Sequence, residues 1–302
     1  MHCRMLVWLN GKFIERDTAV VSAFDAGLQH GIGLFETMAA YHGKIFRAHA
    51  HVQRLVESAR LLLLTESLRA EPLADAVHMV VKRNGLESAR VRLTVTGGNL
   101  NLLQSQGRSK VDPTILIEAG PPTMYPEAFF EQGVVVTIAD GRLNPLDPMA
   151  GHKTLNYWPR ILALQHATAK KAGEALWFAL SNHLVGGSVS NVFLVTDGVL
   201  HTPIARGEEP EDSTRSPVLP GITRAAIIAL ADSLDVDTNS RTIDIEDLLG
   251  ADEVFLTNSS WGVLPVVGVE REKIGNGQVG EMTQRLRDAW LALVERETTS
   301  QM

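Results

Sequence analysis

The amino-acid sequence predicts an α+β protein of two domains, and three observations carry that expectation. Its 302 residues are about twice the ~150 of an average domain. Short alternating apolar runs, joined by turns of the Asn-Gly type, interleave with stretches of helical periodicity along the whole chain. In the middle, Gly120-Pro121-Pro122-Thr123-Met124-Tyr125-Pro126 places three prolines in seven residues, which neither a helix nor a central strand can continue. The expected organisation is a small N-terminal domain at 1–120, a linker at 121–126 and a larger C-terminal domain at 127–302.

Met5 to Leu9 and Lys12 to Glu15 read as a hairpin about Asn10-Gly11, the dipeptide preferred in a type I′ turn. A second hairpin runs from Leu34 to Tyr41, turns at His42-Gly43 and returns through Lys44 to Arg47. From Ala48 to Leu64, Val52, Leu55, Val56, Ala59, Leu62 and Leu63 recur at helical spacing with Arg54 and Arg60 between them. Pro72 opens the next helix and Gly85 closes it. Val91, Leu93 and Val95 alternate with Arg92 and Thr94 as a half-buried strand, and Thr114 to Ala119 supplies another. Beyond the linker, Val134 to Ile138 is a strand, Leu155 to Ala172 a helix and Ala175 to Leu180 a strand. Asn191 to Thr196 turns at Asp197-Gly198 into Val199 to Thr202, a third hairpin. Pro203 to Pro217, with Glu208, Glu209, Glu211 and Asp212, reads as a mobile polar loop. Ile222 to Leu234 is an apolar helix reached through Leu219-Pro220-Gly221. Asp244 caps a short helix stopped by Gly250, Asp252 to Thr257 is a buried strand, and Met282 to Glu297 is the last helix.

Composition narrows the function classes. The 28 Lys+Arg against 35 Asp+Glu leave a net charge of −7, so no basic field exists to attract nucleic acid or an acidic membrane. The single cysteine, Cys3, excludes an internal disulfide framework and a cysteine-cluster zinc site, and no metal is expected; a reducing cytoplasm is the expected compartment. No apolar run approaches the roughly 18 residues of a membrane span, and Met5 to Leu9 is too short for a signal-peptide core.

Several residue patterns point to anion and carbonyl chemistry. Gly221-Ile222-Thr223-Arg224 opens a helix with unpaired backbone N–H groups, a hydroxyl and the positive end of the helix dipole, which together suit a phosphate; the plainer role for Thr223 is a cap. Asn258-Ser259-Ser260 follows a strand as a small polar turn, either an anion nest or an ordinary strand end. Arg54 interrupts an apolar helix face, where a snorkelling surface arginine is the common case. Lys153, in His152-Lys153-Thr154-Leu155-Asn156-Tyr157, is suited in a partly buried setting to form a Schiff base with an aldehyde, although most lysines are simply solvated. Gly187-Ser188-Val189-Ser190-Asn191 lacks the second glycine of a serine-nucleophile elbow, and Gly31-Ile32-Gly33 precedes a strand instead of a helix, the wrong context for a dinucleotide fingerprint.

Taken in chain order, Asn10-Gly11, Phe35-Glu36-Thr37, Gln53-Arg54-Leu55, Lys153-Thr154-Leu155-Asn156-Tyr157, Ser190-Asn191-Val192-Phe193, Leu219-Pro220-Gly221-Ile222-Thr223-Arg224 and Ala251 to Ser259 closely resemble the class IV aminotransferases, the fold-type IV enzymes of pyridoxal 5′-phosphate. That group includes branched-chain and D-amino-acid aminotransferases and 4-amino-4-deoxychorismate lyases. The resemblance implies a small N-terminal α/β domain, a larger C-terminal α/β domain carrying the cofactor lysine, a cofactor between them, a homodimer, and a small-molecule amine or amino-acid substrate. It makes Lys153 the residue that bonds covalently to the cofactor and shuttles the proton, with Thr37 beside it as a catalytic residue. It assigns the cofactor phosphate to Arg54, Ile222, Thr223 and Ser259, the phenolic oxygen to Tyr157, and further cofactor contacts to Ser190 and Asn191.

Two positions depart from the family pattern. Family members place a glutamate against the pyridine nitrogen where this chain has Gly186, which weakens the ring as an electron sink. Many carry Thr-Arg-Gly where this chain has Thr96-Gly97-Gly98, which removes an arginine placed near the substrate carboxylate. Thr37 and Asn258-Ser259 resemble the lyases more than the branched-chain enzymes. The expected activity is pyruvate elimination of the aminodeoxychorismate lyase type. The alternatives are a branched-chain or D-amino-acid aminotransferase, and a cofactor-binding relative with little catalysis.

Overall fold

The computed structural model describes residues 5–99 and 112–299; Cys3 lies outside them. Contacts divide the described residues into two compact units. One comprises those of Met1–Thr123, His152–Asn156 and Val294–Met302, and the other Met124–Gly151 and Tyr157–Leu293.

The smaller unit is built from β1 (Leu6–Leu9), β2 (Lys12–Glu15), α1 (Ala26–His30), β3 (Gly33–Tyr41), β4 (Lys44–Ile45), α2 (Ala48–Leu61), α3 (Ala70–Arg83), β5 (Ala89–Thr96) and β6 (Ile115–Gly120). Its six strands form an antiparallel sheet in the order β2-β1-β6-β5-β3-β4. The two hairpin turns hold both central residues at positive φ, Asn10 and Gly11 in one, His42 and Gly43 in the other, as the type I′ geometry requires. Along β5 the period of two sends Val91, Leu93 and Val95 into the core with Val52, Leu55, Val77 and Val80 of the helices, and leaves Arg90, Arg92 and Thr94 on the opposite face.

The larger unit follows with α4 (Ala128–Glu131), β7 (Val134–Leu143), α5 (Trp158–Ala169), β8 (Glu174–Ala179), β9 (Leu184–Gly187), β10 (Asn191–Thr196), β11 (Val199–Pro203), α6 (Ile222–Ser233), β12 (Thr238–Arg241), α7 (Ile245–Leu249), β13 (Glu253–Asn258), β14 (Gly262–Val269), β15 (Glu272–Lys273) and α8 (Glu281–Thr299), whose last turn counts with the smaller unit. The sheet order is β12-β11-β10-β13-β14-β7-β8-β9, with β15 paired to β14. Parallel pairs (β11 with β12, β14 with β7, β7 with β8) interrupt an otherwise antiparallel sheet. Phe193 and Phe255 stack 5.0 Å apart in its core.

The structure differs from the sequence expectation at two places that matter for the site. The segment at Leu155 is extended, not helical, and α5 starts at Trp158 with Pro159 in its first turn. The reason is a competing partner: Phe35 N–H donates to Lys153 O at 3.0 Å and Leu155 N–H to Gly33 O at 2.9 Å, so Lys153 joins the end of β3 and packs with the smaller unit. The stretch 203–217, expected to be a mobile loop, is tied down. Arg206 N–H reaches Val218 O, the Ser216 hydroxyl donates to Ile204 O at 2.6 Å, and Glu208 is gripped by Arg224.

Asp244 caps α7 through a full capping box, accepting from Asp247 N–H at 2.9 Å while Asp247 accepts from Asp244 N–H at 3.1 Å. Asp244→Ala is expected to lower stability by about 1 kcal/mol in denaturant titrations; an unchanged midpoint would contradict the role of the cap.

Candidate active site

In the smaller unit, β3 carries two sets of side chains on opposite faces. Phe35 and Thr37 point one way, and Lys153 Nζ lies 4.7 Å from the centre of the Phe35 ring. The Arg92 guanidinium stacks 3.9 Å over the same ring and its Nε donates to Thr94 Oγ1 at 3.2 Å, while Arg92 itself stands opposite Thr37 in the strand register. Lysine, threonine and arginine thus gather around one phenyl ring, a grouping that needed the register to become visible.

Glu36 points the other way, toward α2. Its Oε1 accepts from Arg54 Nε at 2.8 Å, and its Oε2 from Arg54 Nη2 at 2.6 Å and from His51 Nδ1 at 2.8 Å. All of Glu36 is buried except about 1%. Burial pushes its carboxyl up, but the Arg54 charge, the His51 hydrogen bond and the remaining contacts outweigh it, and the net result is a fall from 4.5 to about 2. Burial, with help from Arg54 and Lys153, pushes His51 below its ordinary 6.5 against the pull of Glu36, so at neutral pH the ring is neutral and its Nδ1 carries the proton given to the carboxylate. Arg54 is therefore no snorkelling surface residue; its side chain is 12% exposed and held at both ends of a fork.

In the larger unit, the turn from Gly186 to Asn191 is fixed from two sides. Tyr157 Oη donates to Ser188 O at 2.9 Å, and Arg160 Nη1 to Gly187 O at 3.0 Å. From the other side the wholly buried Glu174 accepts from Ala175, Ser188 and Val189 N–H and from the Ser190 hydroxyl, at 2.9 to 3.2 Å. Burial raises the Glu174 carboxyl, and these four donors partly offset the rise. Glu174 was missed in the sequence, because its place at the start of a strand gives no sign that the turn folds back over it. Asn191 Nδ2 donates to Leu219 O at 2.8 Å, which ties this turn to the approach of α6.

Gly186 has φ of 149°, and a Cβ there would stand 2.8 Å from Ser190 O. The backbone, not only the missing carboxylate, requires glycine. Gly97 is crowded too, since a Cβ would lie 3.3 Å from both Ala26 Cβ and Ile32 Cγ2, leaving little room for the arginine that many family members carry.

Gly221 is the N-cap of α6 without a side-chain cap, and Thr223, far from capping the helix, is buried in its first turn. That turn contains no acidic residue, and its first amides, which have no partner within a helix, present the positive end of the helix dipole. Arg224 is not available for an anion: buried, it grips Glu208 at 2.6 and 2.7 Å and also donates to Pro203 O, Thr202 Oγ1 and Ser240 Oγ. In the Asn258 turn, Ser260 and Trp261 N–H both close on Asn258 Oδ1, so those two amides serve the turn instead of an incoming anion. Thr257 Oγ1, on the strand leading to Ser259, is buried without a partner among the described residues. In the larger unit the first-turn amides of α6 and the Thr223 hydroxyl are donors of the kind that fit a phosphate ester. In the smaller unit the fixed Arg54 is a cation suited to the same group, and Lys153 is an amine that fits an aldehyde. Among the described residues no cluster of His, Cys, Asp or Glu could hold a metal, and no helix is long and apolar enough to cross a membrane.

The family profile described as amino-transferase class IV matches residues 33–269. A putative branched-chain-amino-acid aminotransferase of Methanocaldococcus jannaschii is 34% identical, over 94% of this chain and 94% of its own length. The crystal structure of branched-chain amino acid aminotransferase from Escherichia coli superposes with a TM-score of 0.88 at 28% identity, covering 99% of this chain and 97% of that one. That of 4-amino-4-deoxychorismate lyase from Pseudomonas aeruginosa gives 0.80 at 29% identity, covering 97% and 99%.

Two consequences are measurable. Glu36 and His51 both have folded values below their ordinary ones, so each stabilises the fold above its ordinary value and loses that contribution as pH falls, His51 below 6.5 and Glu36 between 4.5 and about 2. The stability gap between wild type and Glu36→Gln is expected to be on the order of 3 kcal/mol at neutral pH and to narrow through the lower window; a gap independent of pH would contradict the assignment. Gly186→Ala is expected to lose roughly 1–3 kcal/mol through backbone strain. A variant as stable as wild type in thermal unfolding would mean that the turn relaxes freely.

Proposed function

The chain belongs to the class IV aminotransferase family and is a pyridoxal 5′-phosphate-dependent enzyme; from that premise we propose that it acts as a lyase of the 4-amino-4-deoxychorismate type, releasing pyruvate from an amino-substituted substrate. The observation that carries this reading is Gly186, whose positive φ and 2.8 Å approach to Ser190 O leave no place for a carboxylate-bearing side chain at the position that faces the pyridine nitrogen in the family. When bound, the cofactor supplies an aldehyde for the substrate amine and a ring that withdraws electrons from the adjacent carbon. With no carboxylate at position 186 the ring would withdraw less, and elimination of pyruvate, drawn forward by an aromatic product, would ask less of it than transamination does.

Lys153 would hold the cofactor through Nζ, Arg54, Ile222, Thr223 and Ser259 its phosphate, and Tyr157, Ser190 and Asn191 the ring. Once displaced from the cofactor by the substrate amine, Lys153 Nζ would be the free amine that carries the proton leaving or returning to the substrate carbon. Thr37 orients the substrate beside it. Arg92, on the same sheet face and stacked on Phe35, binds the substrate carboxylate in place of an arginine at Gly97. The Glu208–Arg224 pair holds the start of α6 in place, and Glu174 holds the Gly186–Asn191 turn. The chain works as a homodimer; the exposed Val20, Phe24 and Leu28, and separately Trp158, Ile161 and Leu162 on α5, support a covered apolar surface.

A second reading, amino-acid transamination, is favoured by the 34% identity to the putative branched-chain-amino-acid aminotransferase of Methanocaldococcus jannaschii. Incubating the loaded enzyme with aminodeoxychorismate and, separately, with amino acids plus 2-oxoacids separates the two. Pyruvate released without an oxoacid acceptor is expected, and a strict dependence on the acceptor would replace the lyase with the aminotransferase. Lys153→Ala is expected to lose turnover and the visible absorption of bound cofactor while staying folded. Arg92→Leu is expected to raise KM roughly tenfold or more, the weight of a charge-assisted hydrogen bond, with little change in cofactor content. An unchanged KM would remove Arg92 from the site.

A further inference from the structure

Arg54 carries a planar fork of donors on a long flexible stem, and such a group is effective toward a phosphate ester only if its plane is set before the ligand arrives. Left on an open helix face, the side chain would sample many rotamers and lose that freedom on binding. Here the plane is already set. Nε and Nη2 meet the two oxygens of Glu36 at 2.8 and 2.6 Å, a two-point contact that fixes rotation as well as distance. Glu36 sits within β3, with its neighbours along the strand paired to β5, so its backbone cannot drift. Its carboxylate is held in turn by His51 Nδ1 at 2.8 Å, three residues before Arg54 and on the same side of α2. Because the fork meets Glu36 through its Nε–Nη2 edge, the Nη1 side of the guanidinium faces away from Glu36.

We propose that Glu36 and His51 are positioning residues that hold Arg54 in one orientation for the phosphate ester of the cofactor, so that they act on cofactor affinity only through Arg54 and only for a phosphorylated ligand. The proposal rests on the reading above that Arg54 meets the cofactor phosphate. Neither residue touches the ligand. The competing explanation is an ion pair that serves folding alone, and the two differ in what the ligand must contain.

The test is a pair of binding titrations on apo-protein reloaded with either pyridoxal 5′-phosphate or pyridoxal, which lacks the phosphate, followed by absorbance and by cofactor retained after dilution. Glu36→Gln and His51→Leu are expected to weaken pyridoxal 5′-phosphate about tenfold or more and to change pyridoxal by no more than about twofold. His51→Asn, whose amide donates from nearly the position of Nδ1, is expected to restore most of the loss. In an Arg54→Ala background, Glu36→Gln is expected to add nothing further. Equal losses for both ligands, no rescue by His51→Asn, or additive effects with Arg54→Ala would overturn the proposal. If Arg54→Ala weakens pyridoxal 5′-phosphate and Glu36→Gln does not, the proposal alone falls. If Arg54→Ala leaves the affinity unchanged, the phosphate assignment of Arg54 falls, and the proposal with it. Should Glu36→Gln not fold, the His51→Leu and His51→Asn pair decides the question by the same two ligands.

Discussion

The place of Lys153 in the smaller unit depends on one backbone contact, the pairing of Lys153 and Leu155 with the first residues of β3. Two hydrogen bonds at 3.0 and 2.9 Å turn a stretch that could have begun a helix into an extra extended segment, and they place Nζ of Lys153 over the Phe35 ring. The alternation of β3 does the rest. Odd-numbered residues, Phe35 and Thr37, share the lysine face with Arg92 of the neighbouring strand, while Glu36 between them serves the buried pair with α2. A one-residue slip of register would exchange these faces and dismantle both groups at once.

Charge is handled in each unit by carboxylates already engaged within the fold. Glu36 compensates Arg54 inside the smaller unit, Glu208 compensates Arg224 inside the larger, and Glu174 is spent on amides of the turn. A buried arginine left unpaired would cost several kcal/mol, so Glu36 and Glu208 are each a condition for keeping their arginine in the fold. The arrangement also explains why the acidic stretch 203–217 is fixed: its Glu208 is the partner that the buried Arg224 requires.

Much of this was legible in the sequence, for reasons specific to each element. The hairpins announced themselves through Asn10-Gly11, His42-Gly43 and Asp197-Gly198, because a tight turn with positive φ restricts residue type. The helices α2 and α6 did so through apolar spacing, and α7 through Asp244. Strands β9, β12 and β14 were not legible: Leu184–Gly187 ends in two glycines, Thr238–Arg241 has no apolar residue, and Gly262–Val269 contains Pro265. The family motifs named Lys153, Arg54 and Thr223, but the meeting of Glu36 and His51 with Arg54, of Glu208 with Arg224 and of Glu174 with the turn at 188–190 depends on register and burial. Arg92 looked like the polar half of an alternating strand, and only pairing with Thr37 brings it beside the lysine.

Lys153, held at the end of β3, is on this reading the amine that joins the cofactor. The most direct measurement is reduction of the cofactor-loaded protein with borohydride, followed by digestion and mass spectrometry of the phosphopyridoxyl peptide. The label is expected on the peptide containing Lys153 and on no other lysine. A label elsewhere, or stoichiometric cofactor binding with no reducible bond to any lysine, would contradict it.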